Sequence, residues 1–375
     1  MRIQRAHVTA SLFSFLASAL RLGANGDPAS LDEILRAELE KSAVPSLAAA
    51  VVTKDQIQAT AAAGVRKQGD PTPVTPADKY HLGSCTKTMT ATLAAILVED
   101  GLLDWNSTVF DILGQSIPDI HSDFRSVTLE QLLAHVGGFA TNPPPSVWQQ
   151  AWSDQGRIPE TEQRLAFCAA LLKDKPAYSP GSKTEYSNQG YAVAGLMMET
   201  VAGRSWETLL AEKVFQPLGM ESAGFRAPGT PNELDQPWGH RQGAPVPPGQ
   251  LADNPDAIGP AGTVHASIED WARFAQYHLR RQPAPLLKNE ATLDKLHSTL
   301  PNSKAHSVGG WLAHDIPRFG GHCLQMVGSN TMWFSLMWIL PEPGIAIVVT
   351  TNSGDPKAFK TLDRVAGKLI QQHAP

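Results

Sequence analysis

The sequence predicts an α/β (α+β) fold: an antiparallel sheet built from both ends of the chain and flanked by helices, with a large all-helical insertion between the two parts of the sheet. Two observations predict this arrangement. Apolar runs of strand character occur at residues 46–64 and again beyond residue 305, whereas helical periodicity fills most of the chain between them. The length of 375 residues and the hydrophobic content of 42% are enough for one large domain or two interleaved domains.

The N-terminal part of the predicted sheet has clear local signals. Ser30 and Glu33 form a capping-box pattern, which predicts that a helix begins directly after Ser30. The stretch SLAAAVVTKDQIQATAAAG, residues 46–64, then predicts two strands joined by a turn at Lys54 and Asp55.

From about residue 84 to about residue 300 the pattern is helical. Several segments with helical periodicity alternate with Pro- and Gly-rich loops: TLEQLLAH, ETEQRLAFCAALLKD, GYAVAGLMMETVAG, SWETLLAEKVFQPLG and SIEDWARFAQYHLRR. One connection, residues 226–262, is too long for an ordinary loop, and we expect it to lie over or beside a functional site.

Strand character returns near the C-terminus. TMWFSLMWIL and IAIVVTTNS flank PEPG, which predicts a hairpin, and a last helix is predicted through residues 359–369. Together these elements predict a sandwich domain made of residues 27–83 and 305–375 and a mostly helical domain made of residues 84–304.

Residues 1–26 differ from the rest of the chain. Arg2 and Arg5 precede the apolar run VTASLFSFLASAL, which is too short and too interrupted for a comfortable membrane span. We interpret this segment as a secretory signal peptide that is cleaved near Asn25 or Gly26; the alternative is a disordered or interfacial N-terminal helix. The protein is therefore expected to be exported, either to a periplasm or to the medium, and no membrane span is expected elsewhere.

Charge and composition exclude several classes of protein. The formal net charge is −5, from 31 basic and 36 acidic residues, and no basic run is present, so a nucleic-acid partner is not expected. The cysteines, Cys85, Cys168 and Cys323, are too few for a disulfide framework. The histidines lack metal-binding spacing, so neither a metal nor a cofactor is expected.

Ser84 and Lys87 form a Ser-x-x-Lys pair at the predicted start of an apolar helix. Residues three apart share one face of a helix, so the two side chains should lie side by side. A serine becomes a nucleophile when a neighbour takes its proton. A buried lysine, whose charged form is disfavoured by desolvation, can accept that proton or hold a neighbouring base in its anionic form. The motif alone also fits a helix cap followed by an exposed lysine.

The backbone around Ser84 adds to this prediction. The N–H group of Ser84 lies at a helix start, where it has no partner within the helix and can stabilise an oxyanion. A second element, Tyr186-Ser187-Asn188, lies between a Pro-Gly turn and a predicted helix. Tyr186 is a candidate base for the Ser84 proton, and Asn188 is a candidate partner for Lys87 or for a substrate carbonyl.

Three neighbouring side chains have simpler interpretations. Cys85 follows Ser84 but lacks the surroundings of a cysteine nucleophile, so we interpret it as a small buried residue. His81, just before the Ser84 turn, either supports the site or caps the turn. A structural role is the favoured interpretation for His81 and for His135.

Four segments, in this order, resemble the serine β-lactamase-like family: GSCTK, YSNQGY, AGTVHASIEDWARF and GSNTMWFSLMWILPEPGIAIVVTTNS. That family includes class C β-lactamases, penicillin-binding proteins, D-aminopeptidases and the serine esterases called family VIII. The resemblance spans about residues 30–372. It implies an α/β sandwich plus an all-helical domain with the site between them, and an acyl intermediate on Ser84. Lys87 and Tyr186 match the catalytic lysine and tyrosine of the family.

The third family element departs from the pattern. The family has a strand that reads Lys-Thr-Gly or His-x-Gly opposite the serine, and the alignment through GSNTMW gives Met326-Val327-Gly328-Ser329. An alternative register through His322 lacks the glycine, so we prefer Met326. The resemblance implies that the backbone N–H of Ser329 completes an oxyanion hole with that of Ser84. The residues expected to contact substrate are Asn188, Met326, Gly328 and Trp333.

Together these features predict an exported serine hydrolase that opens a small-molecule ester or amide. Met326 offers no charge to a substrate carboxylate, so esters or small amides are favoured over β-lactams, unless a cation such as Arg241 in the long loop takes this role. The alternatives are β-lactamase or D-peptidase activity, acyl transfer to an alcohol or amine, and a catalytically silent binding protein that keeps the fold. The sequence leaves the oligomeric state open.

Overall fold

The computed structural model describes residues 29–303 and 305–374. The predicted signal peptide, residues 1–26, lies outside the described residues. The strands of the described chain are β1 (Ser46–Thr53), β2 (Ile57–Gly64), β3 (Lys79–His81), β4 (Gly224–Phe225), β5 (Gly239–Arg241), β6 (Ala244–Val246), β7 (Val264–Ser267), β8 (Leu312–Ile316), β9 (Gly321–Ser329), β10 (Phe334–Leu340) and β11 (Ile345–Thr351).

Helices precede, separate and follow these strands. They are α1 (Leu31–Glu40), α2 (Thr86–Glu99), α3 (Val109–Leu113), α4 (Ser122–Arg125), α5 (Leu129–Leu133), α6 (Pro145–Asp154), α7 (Glu160–Leu172), α8 (Asn188–Ala202), α9 (Trp206–Leu210), α10 (Gly259–Gly262), α11 (Ile268–Arg280), α12 (Glu290–His297) and α13 (Pro356–His373). None of these described helices is long and apolar enough to cross a bilayer.

The main sheet is antiparallel and combines strands from both ends of the chain. Its order is β2-β1-β11-β10-β9-β8, and β1 pairs with β11 so that Ala48 lies opposite Thr350. Because strands from opposite ends of the chain pair with each other, everything between β2 and β8 is an insertion into this sheet. The predicted fold class is confirmed, and so are the first hairpin and the last hairpin.

The interior strand β1 is buried on both faces, and its side chains alternate between two cores. Leu47, Ala49 and Val51 belong to the core that the sheet forms with α1 and α13. Ala48, Ala50 and Val52 belong to the larger core, which includes α11 on the opposite face. The alternation follows from the two-residue period of a strand. Helix α11 lies within the stretch predicted as the helical domain but packs on the sheet; the domain boundaries themselves stay a prediction.

The helical region is organised around α2. Its residues 86–97 are all buried, and apart from Lys87 this stretch contains only threonine, alanine and larger apolar residues, so it has no charged face for solvent. Helices α5 and α8 pack against each other beside it, and α8 ends at Gly203 in the left-handed conformation. This part of the chain is not wholly helical, because β3, β7 and β4 form a small sheet and β5 pairs with β6.

Candidate active site

Ser84 lies in a 3₁₀ turn, Gly83–Cys85, that leads directly into α2. Gly83 has a φ of +52°, in the left-handed region that favours glycine. A Cβ atom on Gly83 would lie 2.4 Å from the backbone nitrogen of Ser329, so the turn also has no room for a side chain there. The sequence Gly-Ser therefore presents the serine hydroxyl at the N-terminus of α2, where Ser84 is partly exposed.

Lys87, one turn later, is completely buried beneath Ser84. Its Nζ donates to the carbonyl oxygen of Ala261 at 2.7 Å, to Oδ1 of Asn188 at 2.8 Å and to Oγ of Ser84 at 3.3 Å. An ammonium group has three N–H bonds and a neutral amine only two, so this set of acceptors suits the charged form. Of the two roles that the sequence leaves open, the geometry favours a lysine that stabilises a neighbouring anionic base.

Tyr186 is the group placed to be that base. Its hydroxyl donates to Oγ of Ser84 at 2.6 Å, and Nζ of Lys87 lies 4.7 Å from the centre of its ring. A cation this close stabilises a phenolate electrostatically. Once Tyr186 is the phenolate, the proton of Ser84 can pass along the same short contact to its oxygen during attack.

The start of α8 holds Tyr186 and Asn188 in place. Ser187 is the N-cap residue, and its Oγ accepts a hydrogen bond from the N–H of Gly190 at 3.2 Å. Nδ1 of His135 accepts from the N–H of Ser187 at 3.2 Å. These contacts agree with a structural role for His135. Asn188 uses its side-chain oxygen on Lys87, and its contact with substrate stays a prediction.

His306 is a neighbour of the site that the sequence did not single out. Its ring centre lies 6.1 Å from that of Tyr186 and 4.7 Å from that of His135. Burial, and then the positive charge of Lys87, lower the pKa of His306 to about 4. Burial also lowers the pKa of His135 well below its usual value, so both imidazoles face Tyr186 as neutral rings.

Strand β9 meets the nucleophile turn through its backbone. A Cβ on Gly328 would lie 1.9 Å from the carbonyl oxygen of Leu82 and 2.9 Å from the backbone nitrogen of Ser84. Only glycine fits such a close approach. The N–H groups of Ser84 and Ser329 therefore belong to two backbone segments in direct contact, as an oxyanion hole requires. His322, by contrast, is exposed near the other end of β9.

Met326 and Trp333 present little surface to a ligand. Met326 lies on the same side of β9 as Gly328, with 3% of its surface exposed. Trp333 is 1% exposed, and its ring packs edge-on against Tyr80 at 5.8 Å. The structure thus places Trp333 in the core and gives no support to its predicted contact with substrate. The two-residue alternation of β10, continued to the position before it, puts the ring on the same side as Met337, in the same core.

The long connection, residues 226–262, contributes to the site as expected. Its Ala261 carbonyl accepts from Lys87, and its exposed Arg241 donates to Oγ1 of Thr331 at 3.3 Å. The N–H of Thr331 donates in turn to Oγ of Ser329 at 3.0 Å. The loop therefore brings a cation to the end of β9.

The cysteines are free and buried, which agrees with their interpretation from the sequence. Burial raises the pKa of the Cys85 thiol far above its usual value, so no thiolate competes with Ser84.

The fold and the Ser-x-x-Lys turn define a serine hydrolase. A family model described as Beta-lactamase matches residues 31–372, and the chain therefore belongs to the Beta-lactamase family. This confirms the resemblance that the four segments indicated. The roles of the individual site residues stay predictions.

Individual relatives agree with this family. Penicillin-binding protein 4 of Amycolatopsis lactamdurans is 29% identical over 336 residues, which cover 85% of this chain and 83% of that protein. The structure of an octameric penicillin-binding protein homologue from Pyrococcus abyssi has a TM-score of 0.70 and 22% identity, and the match covers 91% of this chain and 76% of that one. A D-stereospecific amidohydrolase from Streptomyces sp. has a TM-score of 0.69 and 21% identity, with 91% and 98% covered. These two structures show the likeness of the fold.

Proposed function

We propose that this protein is an exported hydrolase that cleaves small neutral carboxylic esters or small amides through an acyl-enzyme on Ser84. The observation that supports it most directly is the 2.6 Å contact between Tyr186 and Ser84, with Lys87 buried beneath both. A cap residue followed by an exposed lysine would have none of these contacts.

The chemistry follows from this arrangement. The step begins with Tyr186 as the phenolate that Lys87 stabilises: Oγ of Ser84 attacks the carbonyl carbon of the substrate while its proton passes to the phenolate oxygen of Tyr186. The N–H groups of Ser84 and Ser329 stabilise the oxyanion, and Tyr186 then gives the proton to the departing alcohol or amine. Water attacks the acyl-serine in the same way, which releases the carboxylic acid and restores Ser84.

The proposed preference for neutral substrates rests on Met326. Where the family pattern has Lys or His, this chain has an apolar side chain that is 3% exposed. A charge-assisted hydrogen bond to a substrate carboxylate is worth about 1.5–3 kcal/mol, which corresponds to about tenfold or more in affinity. Without that bond, a substrate carboxylate beside this side chain would lose water of hydration without a compensating partner, so the neutral analogue is preferred.

A second candidate is the hydrolysis of small peptides, amides or β-lactams that carry a carboxylate. It is favoured by Arg241, whose guanidinium contacts Thr331 at the end of β9. The names of the relatives, a penicillin-binding protein and a D-stereospecific amidohydrolase, point to the same class of substrate.

The test compares kcat/KM for a neutral ester and for its carboxylate analogue. We expect the wild type to prefer the neutral ester and Met326→His to shift the ratio toward the carboxylate by about tenfold. Arg241→Gln should leave the wild-type ratio unchanged. If the wild type prefers the carboxylate and Arg241→Gln removes that preference, the second candidate is correct.

Export is a separate part of the proposal and rests on residues 1–26. We expect the expressed protein to leave the cytoplasm with those residues removed. Retention of the full-length chain in the cytoplasm, measured by fractionation and N-terminal sequencing, would contradict it.

A further inference from the structure

A buried His–Asp pair lies directly under the nucleophile turn. His81, the last residue of β3, is completely buried, and Asp253 from the long connection is 3% exposed. Nε2 of His81 is 2.7 Å from Oδ1 of Asp253. The contact is an electrostatic one between the ring and the carboxylate rather than a regular hydrogen bond.

The other nitrogen of His81 bonds to the turn itself. The backbone N–H of Gly83 donates to Nδ1 of His81 at 3.0 Å. Nδ1 must therefore carry no proton, and the proton of the neutral ring lies on Nε2, facing Asp253. The two neighbours thus select one tautomer, and the carboxylate keeps the acceptor nitrogen directed at Gly83.

Gly83 determines where the N–H of Ser84 points. The peptide group that contains the Ser84 N–H follows Gly83, so its direction depends on the φ and ψ angles of Gly83. Gly83 holds the unusual φ of +52° with its N–H fixed by His81. Loss of that bond would let the turn relax, and the oxyanion N–H would rotate away from its position.

Asp253 also connects the pair to the segment beneath Lys87. Its Oδ1 accepts from the N–H of Asn254 at 2.6 Å, and Nδ2 of Asn254 donates to the carbonyl of Gly262 at 2.9 Å. Gly262 follows Ala261, whose carbonyl accepts from Lys87. The carboxylate therefore contacts the support of the nucleophile turn directly and is linked through Asn254 to the segment that binds the lysine.

From these contacts we infer that His81, oriented by Asp253, is a positioning residue for the oxyanion hole. It replaces the purely structural interpretation that the sequence favoured. The inference rests on the proposed acyl-enzyme chemistry, because an oxyanion forms only if Ser84 attacks a carbonyl.

Two variants of His81 separate its two contacts. Asparagine can place its amide oxygen near the position of Nδ1, so His81→Asn keeps an acceptor for Gly83 and loses the contact with Asp253. Glutamine reaches toward Nε2, so His81→Gln keeps a contact with Asp253 and loses the acceptor for Gly83. For the neutral ester we expect His81→Gln to lower kcat about tenfold or more with KM within about twofold, and His81→Asn to retain most of kcat. The kcat of Asp253→Asn should lie between the kcat values of the two His81 variants.

His265 provides the matched control. It lies opposite His81 in the β3–β7 pair, and its Nδ1 contacts the carbonyl of Arg226 rather than the turn. His265→Gln should leave kcat unchanged. Thermal midpoints of all four variants report any loss of folding.

The outcomes are distinguishable. Equal losses of kcat in His81→Gln and His81→Asn, losses that follow the thermal midpoints, or an equal loss in His265→Gln would overturn the inference. Unchanged kcat in His81→Gln would also overturn it. If the folded wild type neither turns over esters nor reacts with a serine-directed probe, the proposed function fails and this inference fails with it; an active wild type with unaffected variants contradicts the inference alone.

Discussion

Replacing Gly328 by alanine should damage the oxyanion hole without touching a catalytic side chain. In the present structure the added Cβ would lie 1.9 Å from the carbonyl oxygen of Leu82 and 2.9 Å from the backbone nitrogen of Ser84. Both neighbours are backbone atoms, so neither can rotate away as a flexible side chain would. The separation between β9 and the nucleophile turn must therefore increase.

The size of the effect follows from these distances. Ordinary contact begins near 3.4 Å, so the shortest separation must grow by about 1.5 Å. Overpacking of a closely packed site costs about 1–3 kcal/mol of folding stability. A misplacement of about 1 Å at reacting groups costs about 100-fold in rate. We expect Gly328→Ala to lose about 100-fold in kcat for an ester and to lower the thermal midpoint by a few degrees.

Gly367→Ala is the matched control for this experiment. Gly367 lies in α13, and a Cβ there would meet nothing within 4 Å. Alanine in a helix is about 0.5–1 kcal/mol more stable than glycine, so this variant should keep wild-type kcat and melt slightly higher. Wild-type kcat and stability in Gly328→Ala would refute the close approach of β9 to the nucleophile turn.

Further predictions concern the buried charges. Lys87→Met and Tyr186→Phe should each lose nearly as much kcat as the double variant, because the two residues act as one proton-transfer unit. Additive losses would show that they act independently. Lys87→Arg should not restore activity, since a planar guanidinium cannot place its N–H groups on Ser84, Asn188 and the carbonyl of Ala261 as the ammonium group does; full activity of this variant would contradict the role of these three contacts. Arg164 is buried between Glu199 and Glu207. Arg164→Met leaves these carboxylates unpaired, so it should lower the free energy of unfolding, measured in urea, by about 3–5 kcal/mol. An unchanged urea midpoint would contradict this prediction. Burial lowers the pKa of His278 to about 3, so the unfolded state binds the extra proton and stability should fall as the pH drops from about 6.5 toward 3. His278→Gln should show a smaller fall; an equal fall in both proteins would exclude His278 as a cause.

The sequence predicted those parts of the site that depend on local geometry. Ser84 and Lys87 share a helix face, and the contact between them follows from a spacing of three residues. The hairpin of β10 and β11 follows in the same way from two apolar runs around a turn. In each case the residues that interact are close in sequence, so the local sequence pattern is enough to predict their contact.

The parts that could not be predicted depend on contacts between distant loops. His306 and Asp253 lie in segments without periodicity or motif, and each reaches its partner across more than a hundred residues. Trp333 is predicted to contact substrate because it is near Ser329 in sequence; its ring packs against Tyr80 in the core, and the contact with substrate stays a prediction. Whether the Trp333 ring points into the core or into the site depends on the packing of the whole fold, which the local sequence does not contain.

The most direct test of the central claim is covalent labelling of the folded protein with a fluorophosphonate, followed by mass spectrometry of the intact chain and of its peptides. The account predicts one adduct, located on Ser84. The adduct should be absent from Ser84→Ala and present in Cys85→Ala, because the Cys85 thiol is buried and protonated. Modification of a residue other than Ser84, or no adduct on a protein whose circular dichroism and melting are those of a folded chain, would contradict the assignment of Ser84 as the nucleophile.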